Sequence, residues 1–423
     1  MKRIIVPEGC PPSGKAQSEA IETEHFVFFS GQMPTDYASG LAPEAAVSPD
    51  LPLCGPPAMV RQTHYMLRRM GKVLKSAGVD FEDLVRIEQF ITGRGEAPWY
   101  SSARREFMAK AHPTSTRVCA KSLEVPGALI ACDGFALKPG GEWTKETHDM
   151  DIVPKALTGY PAAQSAGPFV LTPGMIATDY ETGIHPDARV DPTFWHQSAI
   201  KRQTEYILDT QKRVFTNLGL SLADVVQSTV YLSHMEDLPA FDFVWQSYFP
   251  ENPPARVIFP CDELAIVGSR IEISSIALRP DGGLERRTIV SDSAPKPLFH
   301  EPHAVKTGPY LWLSTQMAAD GDGLAREARV NPGLPWYGSP IKSQTRYLLK
   351  NVDAICRAAG GSLADVVRSQ TLFLDMADLH GAFEVWGDSF PGGPPVNMSA
   401  EVSGPMPVPG CRILASLVAY IPE

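Results

Sequence analysis

Gln62-Thr63-His64-Tyr65, Gln203-Thr204-Glu205-Tyr206 and Gln344-Thr345-Arg346-Tyr347 are three copies of one Gln-Thr-x-Tyr marker, each 141 residues after the last. Other landmarks keep the same beat. Asp83, Asp224 and Asp365 recur every 141 residues inside Asp-Leu-Val or Asp-Val-Val, and Met33, Met175 and Met317 recur every 142. Three such periods fill the 423 residues. The period is far longer than the roughly 20–50 residues of a solenoid repeat, and a unit of this size can bury a core of its own. The chain therefore reads as three homologous domains, at 1–145, 146–288 and 289–423. Turn-rich breaks lie near the joins, at Lys138-Pro139-Gly140-Gly141 and Arg279-Pro280-Asp281-Gly282-Gly283, because Gly and Pro in such clusters stop both helix and strand.

Within a unit the pattern begins with a short apolar run, Phe26-Val27-Phe28-Phe29 or Tyr310-Leu311-Trp312-Leu313, whose aromatic and branched residues predict a buried strand. A proline-rich loop leads to the helix that carries the marker, where Val60, Tyr65, Met66, Met70, Val73 and Leu74 fall near a spacing of about 3.6 residues. Gly78, Gly219 and Gly360 stand where such a helix needs a residue tolerant of positive φ. A strand led by the repeated Asp follows (Val226 to Leu232 in the second copy), then a second helix at about Leu238 to Phe249 and two closing strands. The expected order is β, α, β, α, β, β, an α+β unit with its helices on one face of a mixed sheet.

Composition narrows the function. The chain is 43% hydrophobic and 20% charged with a formal net charge of −10, which leaves no segment that must span a membrane or stay disordered. Duplex binding needs a basic footprint, and 48 Asp plus Glu against 38 Lys plus Arg argue against nucleic acid as a partner. Met1 to Cys10 reaches Pro and Glu before any apolar stretch of signal-peptide length, so the expected location is the cytoplasm. Seven cysteines, with no Cys-x-x-Cys spacing, indicate neither a disulfide framework nor a zinc site. No Gly-rich phosphate loop, Ser-His-Asp order or nicotinamide fingerprint occurs, and no cofactor is expected.

Ser30-Gly31-Gln32-Met33-Pro34, the Gln62-Thr63 helix, the Gly78 to Val85 stretch, Thr116-Arg117-Val118-Cys119, Pro254-Ala255-Arg256 and Ile271-Glu272-Ile273 together resemble the YjgF/RidA (Rid) family of enamine/imine deaminases. The resemblance covers all three units and departs from the family in a longer loop between the first strand and the first helix. It implies a chorismate-mutase-like domain repeated three times, with the family's usual homotrimer fused into one intramolecular pseudo-trimer and ligand clefts between neighbouring units. It also implies an arginine that holds a substrate carboxylate and a nearby acid that manages a water. The arginine falls on Arg117 and Arg256, with Asn397 in the third copy, and the acid falls on Asp133, with Ser274 and Ser416 in the other copies. Cys119 matches the family's cysteine, Ser30 and Gly31 match its cleft-lining turn, and its substrate-packing tyrosine maps near Gln17 in unit one and near Gly159 or Tyr160 in unit two.

Each candidate also has an ordinary reading. Arg117 and Arg256 could be salt-bridge residues, Asp133 a bend residue in Cys-Asp-Gly, Cys119 a small buried hydrophobe, and Ser30-Gly31 a tight backbone turn. His300 and His303 have a metal-like spacing but lack a fourth ligand, so a loop or interface role is expected and no metal site. Trp195-His196, Trp336-Tyr337 and, at the matching place in unit one, Leu53-Cys54 could line clefts or pack between units. Two functions stay open on these residues. One is a hydrolase acting on a small carboxylated enamine or imine, in which Arg117 anchors the carboxylate and Asp133 deprotonates a water, releasing ammonia and a keto product. The other is a non-catalytic binder of a keto or amino acid. The longer loops suggest a third possibility, a divergent activity on a larger conjugated or cyclic acid.

Overall fold

The computed structural model describes residues 2–48, 54–155 and 159–422. Unit one runs β1 (Arg3–Ile5), β2 (Ala20–Glu22), β3 (Phe26–Gln32), α1 (Ala58–Ser76), β4 (Leu84–Ile91), α2 (Ala97–Phe107), β5 (Thr114–Cys119), β6 (Ser122–Leu123) and β7 (Ile130–Leu137). Unit two runs β8 (Lys145–His148), β9 (Ala163–Ala166), β10 (Phe169–Leu171), α3 (Ala199–Asn217), β11 (Val225–Leu232), α4 (Leu238–Tyr248), β12 (Ala255–Pro260) and β13 (Ile271–Leu278). Unit three runs β14 (Arg286–Ile289), β15 (Ala304–Thr307), β16 (Tyr310–Leu313), the short β17 (Gln316–Met317), β18 (Ala319–Asp320) and β19 (Gly323–Leu324), then α5 (Pro340–Ala358), β20 (Val366–Phe373), α6 (Asp378–Ser389), β21 (Val396–Glu401) and β22 (Ile413–Tyr420). The expected order lacked the two strands that open each unit. Those strands are short and carry polar residues, so no apolar period marks them. Two of them, β8 and β14, pair into the second and third sheets and begin at Lys145 and Arg286.

The three sheets share one six-strand order, β1-β2-β3-β7-β4-β5, β8-β9-β10-β13-β11-β12 and β14-β15-β16-β22-β20-β21; the third is extended beyond β21 by β6 of unit one, and β17 also pairs with β22. Each contains one parallel pair, β4 with β5, β11 with β12 and β20 with β21. Parallel neighbours need a crossover, which α2, α4 and α6 provide.

The repeated marker now has a physical cause. Gln62 donates from Nε2 to the Gly127 carbonyl at 2.9 Å and accepts the Leu129 amide at 2.7 Å. Gln203 does the same to Gly268 and Arg270, and Gln344 to Gly410 and Arg412. A buried amide side chain thus fixes the turn that leads into each closing strand. The repeated Asp accepts the backbone amide three residues earlier, Asp83 from Asp80, Asp224 from Ser221 and Asp365 from Ser362, closing a capping box ahead of the central strand. On α1 the buried stripe is Met59, Gln62, Thr63, Met66, Leu67, Arg69, Met70, Val73 and Leu74, with Val60 and Tyr65 at its margin.

Strand alternation divides each unit's apolar residues between two cores. Val27, Phe29, Ile87, Ile91, Ile130 and Cys132 pack under α1 in the core of unit one, and units two and three each have their own. The opposite sheet faces meet. Phe26, Phe28, Phe135, Phe169, Val226, Trp312, Val367 and Tyr420 form one shared cluster, and Phe90, Tyr231, Phe259, Leu372, Met398 and Leu414 form another. Between the two lies a buried polar belt containing Arg86, Glu88, Asp133, Gln227, Thr229, Arg368 and Gln370. The protein is an intramolecular pseudo-trimer of three α+β units with their helices outermost.

The seams repeat as well. The edge strand of each unit meets the turn after the third strand of the next: the Gly174 amide donates to the Ser115 carbonyl at 3.2 Å, the Arg256 amide to Ser314 Oγ at 3.1 Å, and the Asn397 amide to Ser30 Oγ at 2.9 Å. Each seam is the floor of a cleft.

Candidate functional site

Residue 117 of β5 sits in register with Gln89 of β4, which in turn faces Cys132 of β7. Side chains directly opposite across a sheet share a face, so Arg117 projects on the helix side. There its guanidinium lies over the Tyr100 ring at 5.9 Å and donates from Nη1 to Ser101 Oγ at 3.2 Å. It takes no carboxylate partner among the described residues. Arg117 instead borders a cavity of about 350 Å³ at the seam of units one and two, walled by Ala97, Pro98, Ile176, Ala265, Ile266 and the two tyrosines Tyr160 and Tyr180.

Across this cavity stands Glu272, on the interface face of β13 and opposite Tyr231. It is 3% exposed, and its Oε2 has no hydrogen-bond partner among the described residues. Burial pushes its carboxyl up to about 8, and the charge and backbone amide of Arg117 pull it back only in part. At neutral pH Glu272 is therefore mostly a neutral acid beside a fixed cation. Gly174 makes room for it, since a Cβ there would fall on Glu272 Oε1. Tyr160 and Tyr180 are joined hydroxyl to hydroxyl at 2.7 Å, and burial raises both phenols above their ordinary range. They form a wall, behind which lies a second cavity of about 310 Å³ lined by Met150, Val153, Pro161, Met175 and Tyr206. The site thus pairs an open guanidinium with a protonated carboxyl, an arrangement able to hold an anion and pass a proton.

The structure distributes the sequence-derived candidates differently. Asp133 is not in the cleft of Arg117. It follows Cys132 on β7, so alternation turns it to the opposite face, where Arg368 donates to it at 2.7 and 3.1 Å and Gln370 at 3.1 Å. Glu88 shares the same arginine. Burial raises Asp133, and Arg368 offsets only part of that; Glu88 is lowered because Arg368 and Arg86 more than offset its burial. Asp133 is a member of the buried belt.

Arg117 and Arg256 are likewise not equivalent. Register aligns Ser228 with Arg256, Ile87 with Ser115 and Ser369 with Asn397. The position of Arg256 is therefore Ser115 in unit one, and Arg117 lies two residues further along the same face. Arg104 of α2 stands behind, donating to Ser115 Oγ at 3.1 Å. Arg256 itself, in the cleft of units two and three, is fully buried and ion-paired to Asp242 and Glu301. Ser30 and Gly31 belong to the cleft of units three and one, where Met398 packs against Gly31. In that cleft Lys15 is buried against Glu124, Asn397 Oδ1 and Ser399 Oγ. Cys119 is buried in the core of unit one, its thiol pushed up to about 12 by burial and Glu263, and it does not line the cavity of Arg117.

His300 bonds the Phe249 carbonyl at 2.6 Å, and His303 lies between the Ser291 amide and the Pro295 carbonyl. Both histidines tie down the loop that enters unit three, and among the described residues no group of His, Cys, Asp and Glu could hold a metal ion. Trp195, Trp336 and Tyr337 are exposed and line none of these clefts; Cys54 is exposed, and Leu53 lies outside the described residues. No helix among the described residues is long and apolar enough to cross a membrane. Glu272 is visible in the sequence as a lone charge in the apolar alternation Ile271-Glu272-Ile273, two residues before the position at which the family resemblance places the acid.

Parts of the chain are similar to known proteins. The profile of the endoribonuclease L-PSP family matches residues 11–138 and 151–279. The chain is 34% identical over 115 residues to a RutC family protein of Pyrococcus abyssi, covering 27% of this chain and 81% of that one. It is 31% identical over 126 residues to the 3-aminoacrylate deaminase RutC of Acinetobacter baylyi, covering 29% of this chain and 90% of the relative. Among solved structures, a putative endoribonuclease of Thermotoga maritima is 30% identical with a TM-score of 0.28, covering 32% of this chain and 98% of its own. RidA of an Antarctic Psychrobacter is 27% identical with a TM-score of 0.27, covering 32% and 99%.

Proposed function

Since the chain belongs to the endoribonuclease L-PSP family, the YjgF/RidA proteins, in tandem copies, we propose that it is a deaminase of small carboxylated enamines or imines working in the cleft between units one and two. The observation that supports this reading is Glu272, a buried carboxyl in the wall of the cavity that Arg117 borders, with one oxygen that has no hydrogen-bond partner among the described residues. A similar protein carries the name 3-aminoacrylate deaminase, a substrate with a carboxylate next to the reacting carbons.

In this reading the Arg117 fork takes the substrate carboxylate, a charge-assisted pair that fixes the reacting carbon at the cavity floor. Glu272, neutral at rest, protonates the enamine carbon or the imine nitrogen, and the resulting iminium is an electrophile. The carboxylate left behind accepts a proton from an attacking water, which adds to the iminium carbon. The carbinolamine then expels ammonia, its hydroxyl proton passing to the departing nitrogen, and a keto acid remains. Glu272 ends protonated, and water and imine are converted to ketone and ammonia in balance. A raised pKa suits both steps, because an acid near neutrality can give and take a proton at comparable cost. The role first assigned to Asp133 passes to Glu272.

Ammonia release from 2-iminopropanoate, measured above the spontaneous rate, tests the reading. The parent should accelerate release and Arg117→Ala should lose most of that acceleration. A parent protein no faster than buffer, yet able to bind pyruvate, would favour a binding protein.

A further inference from the structure

The cleft between units two and three contains an arginine that already holds a carboxylate. Arg256 is 0% exposed, its guanidinium framed by Phe241 at 5.3 Å, Trp245 at 5.1 Å and Phe299 at 5.9 Å. Its Nε donates to Glu301 Oε2 at 2.9 Å, and Nη1 lies 2.7 Å from Asp242 Oδ1. Glu301 comes from the loop that enters β15. It stands five residues before Lys306, as Tyr160 stands five before Ser165, and Lys306 and Ser165 occupy the same register position opposite Leu311 and Val170. Where unit two offers a tyrosine to the wall of an open cavity, unit three puts a carboxylate onto the neighbour's arginine.

The segment is pinned in place. His300 bonds the Phe249 carbonyl at 2.6 Å, and Trp245 Nε1 donates to the His300 carbonyl at 3.3 Å. Yet the pairing is not a full fork, because Nη2 of Arg256 is buried with no acceptor among the described residues. A planar guanidinium in a built recess accommodates two parallel bonds to one carboxylate, and Glu301 makes one. Beside Glu301 lies a small cavity of about 50 Å³, bordered by Ser314, Thr315 and Gln316, the turn that corresponds to Pro173-Gly174 at the Arg117 cavity.

We propose that Glu301 is a tethered surrogate ligand, and that Arg256 marks a second, latent carboxylate-binding site which the chain keeps closed by filling it itself. The free acid that fits is a small keto or amino acid whose carboxylate replaces that of Glu301. The intact chain then takes one carboxylate ligand, at Arg117, despite three related clefts. The inference concerns binding alone, so it stands or falls separately from turnover at Arg117.

The test uses the full chain and pyruvate as probe, with calorimetry as readout. Arg117→Ala alone should show no saturable pyruvate binding. Arg117→Ala with Glu301→Ala should gain one saturable site per chain, and adding Arg256→Met should abolish it. A folded double variant that binds no better than Arg117→Ala overturns the proposal, as does binding that survives Arg256→Met. Should Glu301→Ala fail to fold, Glu301→Tyr restores the residue of unit two and is judged by the same numbers. If neither variant folds, even when pyruvate is present throughout, Glu301 is a structural ion-pair partner and the proposal is wrong.

Discussion

Glu272 is a neutral acid at pH 7 because it is buried beside Gly174 and the edge strand β5 with only Arg117 to favour its charge. Its folded carboxyl sits near 8 against an ordinary 4.5, so it contributes stability that is present in full below about pH 4.5 and is lost as the pH rises through 8. Glu272→Gln should flatten that part of the stability profile, measured as the difference between variant and parent in urea unfolding at pH 5 and pH 9. The difference is needed because Asp133 and Glu301 are raised too and act with the same sign. Catalysis should share the limb: deaminase activity should fall as the pH passes 8 and the acid is lost. For Arg117→Ala, removal of a charge-assisted pair worth about 1.5–3 kcal/mol predicts a roughly ten- to more than hundredfold loss in kcat/KM. An unchanged kcat/KM would remove Arg117 from the site.

At the scale of elements, the site is decided by strand parity and register. The repeats, both helices and the main strands were legible because their spacing is periodic and their marker residues make the same local bonds in each copy. Which face a strand residue takes was not legible, since one step along β7 separates Cys132, under α1, from Asp133, in the interface. Register across β4 settles it, and register depends on partners distant in sequence. The two-residue displacement of Arg117 from the position of Arg256 escaped for the same reason. Parity is kept over two residues, so the guanidinium still enters the cleft. The turn at Gly174 is equally exact in its demands. Gly174→Ala would press a methyl onto the Glu272 carboxylate, the flexible end of a side chain and not backbone. Deaminase activity should therefore drop by about a hundredfold, the cost of moving a reacting group by roughly 1 Å, while the melting temperature changes little. A variant with parent activity would show that Glu272 need not stand where it does.

For the whole molecule, fusing three units lets their clefts differ: one open, one filled by Glu301, one filled by Lys15. The shared apolar faces and the edge strands have no cover in an isolated unit. Unit three expressed alone should associate or precipitate, as light scattering would show, and a well-behaved monomer would contradict the shared cores. The buried belt gives Asp133 its place here. Asp133→Asn takes one carboxylate from Arg368 and should destabilise the chain by a few kcal/mol, as breaking a buried pair does, without touching the cleft of Arg117. The most direct measurement is therefore ammonia release from 2-iminopropanoate by Glu272→Gln and Asp133→Asn beside the parent, at a temperature where all three are folded. The account predicts a loss of about a hundredfold or more for Glu272→Gln and the parent rate for Asp133→Asn; collapse in Asp133→Asn with full activity in Glu272→Gln would contradict it.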